Sequence, residues 1–264
     1  MNELLIKTNL GRISVVLDDG TTDMPIIYLH GVFLDKTLWT QVSSPAKGRM
    51  QVFVDMPAHG NSDNVGHDWS LNDCVEMLIR IMDELTVQRC VVIGHSWGSM
   101  TALQAAIQFP DRFAALGLFN MPFRRTKGLS RITFALQKRM AIFPAFFAKQ
   151  AAMALYSPIL LEKRPELIAQ MQARLSKRPA REIARTIEAV ILKAQDAVSL
   201  IQNLQVPAMA VIGETDYVGI PPKLEVITVP GGHISPLEAE EDARNVIKRV
   251  LDLAALVPRD GTKP

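Results

Sequence analysis

The sequence predicts an α/β fold in which a mainly parallel sheet is flanked by helices. Short apolar runs rich in β-branched residues alternate with helical patterns along most of the 264 residues. Such alternation is typical of parallel strands that helices cover on both faces. The rhythm is interrupted at residues 122–203, which contain helical patterns only. We therefore expect a sheet domain with a helical insertion after one of its strands.

The predicted strands share an apolar, β-branched composition and are bounded by turn-forming residues. In chain order they are Arg12–Leu17, Pro25–Leu29, Met50–Val54, Cys90–Ile93, Ala114–Phe119, Ala208–Ile212 and Leu224–Val229.

Two helices are predicted between these strands. Ser70 is placed to cap a helix from Leu71 to about Leu85, and Asp73 completes a capping box. A second helix follows the strand at Cys90–Ile93 and reaches about Gln108.

Two further helices are predicted later in the chain. One long helical pattern runs from Arg181 to Leu204 inside the insertion. A final helix opens at Ser235, with Ser235 as the cap, Pro236 at the first helical position and Glu238 reaching back to the cap.

Charge is distributed unevenly, although the formal net charge is only +2. Residues 122–203 carry 15 Lys and Arg against five Asp and Glu, whereas the remainder carries 14 against 22. We expect the basic side chains to form a solvated outer face of the insertion. Steering of anionic substrates and a helix at a membrane surface are the alternatives. The small total charge does not favour nucleic acid as a partner.

Composition limits the other classes of protein. The chain has 48% apolar and 21% charged residues, which excludes collagen-like, coiled-coil and disordered proteins. No run of about 18 apolar residues and no signal peptide is visible, so we expect a cytoplasmic protein without stable membrane insertion. Its two cysteines, Cys74 and Cys90, are too few for a metal cluster. A small-molecule substrate is expected, and a homodimer is left open.

The first motif that carries chemistry is Gly94-His95-Ser96-Trp97-Gly98. It is a G-x-S-x-G sequence between an apolar strand and a helix, the context in which this motif holds a nucleophilic serine. A tight turn there exposes the hydroxyl at the carboxyl end of the sheet, beside the free N–H groups of the helix N-terminus. Ser96 is therefore the predicted nucleophile.

A serine nucleophile needs a base and an acid. His233 is the best candidate base, because it follows the last strand and its Gly-Gly turn at the same sheet edge. Asp216 is the predicted acid at the end of the preceding strand, and Glu214 is its rival. The order Ser, Asp, His along the chain fits this architecture. The other histidines are interpreted as structural or solvated: His30, His59, His95 and His67.

Five motifs together resemble the α/β-hydrolase superfamily: HGVF from His30, DMPAHGNS from Asp55, GHSWG, Gly213-x-x-Asp216 and Gly232-His233. The resemblance implies an eight-stranded sheet, with residues 1–121 and 204–264 as the core and residues 122–203 as a cap after the sixth strand. It further implies a Ser96–His233–Asp216 triad and an oxyanion hole from the backbone N–H groups of Val32 and Trp97, with Phe33 as a helper. No cofactor and no metal are expected.

Within the superfamily, a serine nucleophile excludes haloalkane dehalogenases and epoxide hydrolases, which use a carboxylate. The stretches HGVFLDKTLW and DMPAHGNSD are similar to enol-lactonases and carboxylesterases. We therefore predict hydrolysis of an ester or lactone of a small, largely apolar substrate. GHSWGSMTALQAAIQFPDRF is similar to prolyl aminopeptidases, so such a peptidase is an alternative. Another amide or carbon–carbon bond hydrolase, or a low-turnover ligand receptor, is also kept.

Two features of the predicted site are less regular. Phe33, Phe143, Phe146 and Phe147 are predicted to contact substrate, although packing of the cap against the core is the stronger interpretation for most apolar cap residues. His233 lies only 17 positions after Asp216, which leaves little room for the helix that usually connects parallel strands. We expect that helix to be reduced or missing.

Overall fold

The computed structural model describes residues 2–256, and these form one sheet with helices on both faces and a helical cap. Residue 1 and residues 257–264, the ends of the predicted core, lie outside the described residues. The strands are β1 Asn2–Thr8, β2 Gly11–Asp18, β3 Thr21–Leu29, β4 Arg49–Val54, β5 Cys90–His95, β6 Phe113–Phe119, β7 Ala208–Gly213 and β8 Glu225–Val229.

The sheet is mainly parallel, as predicted. Its order is β1-β2-β4-β3-β5-β6-β7-β8, and only β2 runs antiparallel to its neighbours. The carboxyl ends of β3 to β8 therefore meet at one edge. Strand β1 was not predicted, because it is an edge strand with only Ile6 buried and lacks an apolar pattern.

The helices are α1 Leu71–Glu84, α2 Trp97–Gln108, α3 Gly128–Met140, α4 Pro144–Leu155, α5 Pro158–Lys163, α6 Glu166–Ser176, α7 Ala180–Thr186, α8 Val198–Asn203, α9 Ser235–Glu238 and α10 Glu240–Ala255. Helices α3 to α8 form the cap, which leaves the core after β6 and returns at β7. Across residues 2–256, no helix combines the length and the apolar character needed to cross a bilayer.

The single long helix predicted over Arg181–Leu204 is wrong. The chain forms α7, a π-helical turn at Ile187–Leu192, a non-helical stretch and then α8. The break has a tertiary cause, since the Ala197 N–H donates to the carbonyl of Phe123 and Asp196 accepts from the Arg125 N–H. The Ala197 backbone and the Asp196 side chain thus hold the start of the cap in place.

Of the two predicted capping boxes, the first is confirmed. The Ser70 hydroxyl accepts from the Asp73 N–H, and the Asp73 carboxylate accepts from the Ser70 N–H. The second is wrong, because Ser235 is already the first helical residue after the Ile234 cap. Glu238 accepts instead from the Gly232 N–H at 2.8 Å. Its carboxylate stabilises the turn before the helix, not the helix N-terminus.

The connection from β7 to β8 contains no helix, as the sequence predicted. The strands nevertheless pair in regular parallel register, from Met209 opposite Glu225 to Gly213 opposite Val229. Asp216 lies on this short connection, immediately beyond the end of β7.

Several cap residues form polar contacts with the core, among them Arg178 and Glu182. Arg178 donates to the carbonyls of Gly60 and Ser62. The buried Glu182 accepts from the N–H groups of Val65 at 3.1 Å and Gly66 at 3.3 Å, and it pairs with Arg185 of its own helix.

Removing the Glu182 carboxylate should therefore destabilise the protein. Glu182→Ala leaves the two backbone donors without their acceptor and leaves Arg185 with only its longer pairing to Asp68, so we expect the free energy of unfolding to fall by about 3 kcal/mol. Glu188→Ala is the matched control, because Glu188 forms a half-exposed ion pair with Lys138 and should cost less than about 1 kcal/mol. Urea unfolding of both variants measures the difference; equal losses would contradict this account of the contact between cap and core.

Candidate active site

Ser96 lies on a strained turn between β5 and α2. Its φ is 50° and its ψ is −110°, a region that non-glycine residues rarely occupy. The turn is tight enough to require glycine on both sides. A Cβ at Gly94 would lie 2.5 Å from the Ser99 nitrogen, and one at Gly98 would lie 2.3 Å from the Leu29 carbonyl oxygen.

The structure brings Ser96, His233 and Asp216 together, as their positions at three strand ends predicted. The Nε2 atom of His233 lies 3.0 Å from the Ser96 Oγ, and its Nδ1 lies 2.9 Å from the Asp216 Oδ1. Since a carboxylate only accepts, Nδ1–H donates to Asp216 and Nε2 is left to accept from the serine hydroxyl. This arrangement can remove the hydroxyl proton.

Asp216 is shielded from water by donors from two sides. Its Oδ2 accepts from the Asn120 Nδ2 at 2.7 Å, and its Oδ1 accepts from the Val218 N–H at 3.3 Å as well as from His233. Burial alone would raise the pKa of Asp216, but these hydrogen bonds outweigh it and hold the pKa below its ordinary value. The rival acid, Glu214, is exposed at the end of β7.

Asn120 is the site residue whose function the sequence did not reveal. It follows β6, has a φ of 50°, and also donates to the carbonyl of Gly232, which lies next to His233. Its position at a strand end beside Ser96 was visible in the sequence. The Asn120 amide is neutral, so it can donate to the Asp216 carboxylate and orient it without adding a charge to the site.

Val32 lines the same cavity as Ser96, and Trp97 follows Ser96 in the chain. Neither backbone N–H group has a hydrogen-bond partner among the described residues. Trp97 is the first residue of α2, where the N–H has no acceptor within the helix. The N–H of Phe33 donates to His59 Nε2 at 2.9 Å, so the predicted helper is already engaged. The loop can approach Ser96 because residue 31 is glycine; a Cβ there would lie 3.1 Å from the Ser96 Cβ.

His30 and His59 hold the loops around the site. Nε2 of His30 accepts from the Met56 N–H, and Nε2 of His59 accepts from the Phe33 N–H, both at 2.9 Å. Each ring uses its Nδ1–H to donate to a nearby carbonyl. These are the structural functions that the sequence predicted for them, whereas His67 is exposed.

His95 supports the candidate base directly. Its Nε2–H donates to the carbonyl of His233 at 2.7 Å, which holds the backbone of that residue beside Ser96. Burial lowers the pKa of His95 and of His59 to about 3 and also lowers that of His30. All three imidazoles are therefore neutral in the folded protein near pH 7.

A cavity of about 510 Å³ opens beside Ser96 between the core and the cap. Phe33 and Phe147 line it and contact each other edge to face, with ring centroids 5.4 Å apart. Phe143 and Phe146, which were also predicted to contact substrate, lie outside the cavity and are exposed. Of these three phenylalanines near the start of α4, only Phe147 lines the cavity.

Polar groups also border the cavity. The ring of Tyr217 stacks on His233 with centroids 4.6 Å apart, and its hydroxyl lies 3.3 Å from Nε2. Sequence reasoning missed this residue, since nothing in the pattern marks a tyrosine after the acid. Arg124, Arg125 and Lys127 lie on another side of the cavity. Within residues 2–256, no three His, Cys, Asp or Glu side chains are grouped to hold a metal ion.

Comparison with known proteins identifies relatives of the same architecture. The family model described as the alpha/beta hydrolase fold matches residues 24–240. The chain is 28% identical over 103 residues to (E)-2-((N-methylformamido)methylene)succinate hydrolase of Acinetobacter baylyi, a match that covers only 39% of each chain. It is 23% identical over 202 residues to 3-oxoadipate enol-lactonase 2 of the same organism, covering 75% of this chain and 74% of that one.

Among solved structures, the fold is similar to that of a thermophilic esterase from Thermogutta terrifontis with malate bound. The TM-score is 0.83 at 21% sequence identity, and the match covers 96% of this chain and 99% of the other. At that identity the likeness concerns the fold.

The buried histidines predict a loss of stability in mild acid. In the unfolded chain an imidazole titrates near pH 6.5, whereas His59 and His95 stay neutral down to about pH 3 when folded. Below about pH 6.5 the unfolded chain therefore binds more protons. The free energy of unfolding should fall by up to about 1.4 kcal/mol per pH unit for each such histidine.

Urea unfolding between about pH 7.5 and pH 5 tests this prediction. Carboxylates do not interfere in that range. The pKa of Glu3 and of Asp35 is lowered to about 2 in the folded protein, and such groups change the free energy of unfolding only below their unfolded pKa near 4. His59→Gln should lower by one the number of protons that the chain takes up on unfolding, and the slope of the free energy of unfolding against pH should fall accordingly. His67→Gln changes an exposed histidine and should leave that slope unchanged. A stability independent of pH over this range would refute the prediction.

Proposed function

The chain belongs to the α/β-hydrolase fold family, whose model matches most of its length, and we propose that it is a serine hydrolase of carboxylic esters or lactones. One observation carries the proposal. His233 joins Ser96 to Asp216 through hydrogen bonds of 3.0 and 2.9 Å, beside two free backbone N–H groups and the cavity between core and cap. Each part of an acyl-transfer site has a counterpart here.

In the first half of the proposed reaction, the Ser96 Oγ attacks the substrate carbonyl carbon while its proton passes to Nε2 of His233. The carbonyl electron pair moves onto oxygen, which accepts hydrogen bonds from the N–H groups of Val32 and Trp97. Loss of one such donor typically costs about 3 kcal/mol of transition-state stabilisation. When the carbon–oxygen bond breaks, the leaving alkoxide takes the proton from Nε2 and Ser96 remains acylated.

In the second half, water repeats these steps on the acyl-enzyme. His233 removes a proton from the water, hydroxide adds to the acyl carbon, and the same N–H groups hold the oxyanion. The intermediate then releases the carboxylic acid, and Ser96 Oγ recovers its proton from Nε2. Asp216 remains ionised throughout, since its low pKa favours the charged form that stabilises the imidazolium.

The cavity supports a largely apolar substrate. Its inner lining is mainly aliphatic and aromatic and includes Phe33, Met100, Phe123, Phe134, Phe147 and Leu155. A volume of about 510 Å³ is within the range of small-molecule sites. The similarity to an enol-lactonase and to an esterase fold agrees with ester or lactone hydrolysis. We propose that the acyl or lactone carbon skeleton occupies this lining.

The nucleophile is tested by Ser96→Ala, which should lower turnover of p-nitrophenyl esters by about 10³-fold or more, because no acyl-enzyme can form. Ser99→Ala is the matched control on the same turn. Its hydroxyl donates to the Phe119 carbonyl and does not contact His233, so activity should persist. Near-wild-type rates in Ser96→Ala would refute the assignment.

The acid is tested by comparing Asp216→Asn with Glu214→Gln. An amide at 216 cannot hold the required imidazole tautomer or stabilise the imidazolium, so kcat should fall by about 10³- to 10⁴-fold. Glu214 is exposed, so its variant should keep the wild-type kcat. The reverse ranking would show that Glu214 is the acid.

An enzyme must also turn over repeatedly. We expect a fluorophosphonate to label Ser96 and an ester panel to be hydrolysed for many cycles per protein molecule. Labelling together with a single turnover would instead support a ligand receptor built on the same fold.

A further inference from the structure

The first part of the cap has an unusual composition. Residues 122–161 contain seven Lys and Arg and no Asp or Glu. This stretch includes α3 and α4, the helices that border the cavity. Ordinary solvated surfaces mix both signs of charge. Within the cap, Glu188 pairs with Lys138 and Asp196 with Arg125. The other five cations of the stretch have no carboxylate partner among residues 2–256, which favours a negatively charged partner.

The same stretch exposes a row of large apolar side chains. On α3, Leu129, Ile132 and Leu136 are 83%, 58% and 54% exposed, and their spacing places them on one side of the helix. Ser130, Phe134 and Gln137 turn toward the cavity on the opposite side. No residue of α3 is fully buried, so the outward row is not needed for packing within the chain.

Further apolar side chains are exposed where α3 is followed by α4. Ile142, Phe143 and Phe146 are also exposed at the start of α4. We define the cap face as the six exposed residues Leu129, Ile132, Leu136, Ile142, Phe143 and Phe146. Large exposed apolar patches usually mark an interaction site in a folded protein.

Cationic side chains surround the cap face. Arg139 and Lys149 are exposed on α3 and α4, and no carboxylate pairs with either among residues 2–256. Lys127 is exposed at the start of α3. An apolar helix face bordered by Lys and Arg is the pattern of helices that lie in the interface of an anionic membrane.

We propose that the cap face is a docking surface for anionic lipid bilayers. The apolar side chains enter the region between headgroups and acyl chains, and the surrounding cations contact lipid phosphates. A second copy of the chain fits less well, because a symmetric dimer through this face would set like charges against each other. Docking places the cavity beside Ser96 close to a phase that concentrates apolar esters.

Co-sedimentation with lipid vesicles tests the proposal. The full-length protein should bind vesicles of phosphatidylcholine mixed with phosphatidylglycerol and should bind phosphatidylcholine alone at least about tenfold more weakly, since each cation near an anionic surface adds about fivefold. Raising the salt from about 0.1 M to about 1 M should remove that advantage. Equal binding to both vesicles, or to neither, would overturn the proposal.

Two double variants locate the surface. Leu129→Gln with Leu136→Gln removes apolar area, and Arg139→Gln with Lys149→Gln removes charge. Each should weaken binding by about tenfold or more. The matched controls are Leu4→Gln with Leu5→Gln, both exposed on the edge strand β1, and Lys7→Gln with Lys248→Gln. Controls that weaken binding as much as the cap variants would overturn the assignment of the surface.

The remaining measurements separate this proposal from the others. Thermal unfolding checks that the variants fold, and hydrolysis of a soluble ester should be unchanged in them. Ser96→Ala should bind vesicles like the wild type, so failure of the proposed chemistry and failure of docking have different signatures. If the leucine variants instead convert a dimer into a monomer and vesicle binding is absent, the cap face joins two copies of the chain and the membrane proposal is wrong.

Discussion

The candidate site depends on a chain of hydrogen bonds from Ser96 through His233 and Asp216 to Asn120. Its four members follow β5, β8, β7 and β6, strands that adjoin in the sheet. Because parallel strands end at one edge, residues far apart in sequence can meet there without a long loop. The regular pairing of these strands toward their carboxyl ends therefore helps to hold the four residues within hydrogen-bonding distance.

Buried histidines hold the loops that follow β3 and β4 at this edge of the sheet. Main-chain donors in the loops after β3 and β4 point into a dry interior and need an acceptor. His30 and His59 supply one to Met56 and Phe33. Neutral imidazoles satisfy these two donors without adding a charge to the interior. The buried carboxylate of Asp55 accepts from two further backbone N–H groups, and its charge is paired with Lys36.

What the sequence predicted correctly has local causes. The alternation of strands and helices, the Ser70 cap and the turn around Ser96 depend on residues close together in the chain, and their signals survive without tertiary context. Asp216 and His233 were found because strand ends imply a common edge. Features that depend on distant partners were missed or mispredicted. They include Asn120, the break at Asp196 and the outward direction of Phe143.

The direct connection between β7 and β8 has a consequence for solubility. β8 is the last strand in the order of the sheet, and the link before it contributes no helix to cover it. Backbone groups along such an edge can pair with another chain, a common route to aggregation. Pro221 and Pro222 precede the strand, where they cannot donate to an invading strand. Glu225, paired with Arg249, adds charge at the start of the edge. Asp216 and His233 are thus held close together in the chain, and proline residues and charged side chains protect the exposed edge of β8.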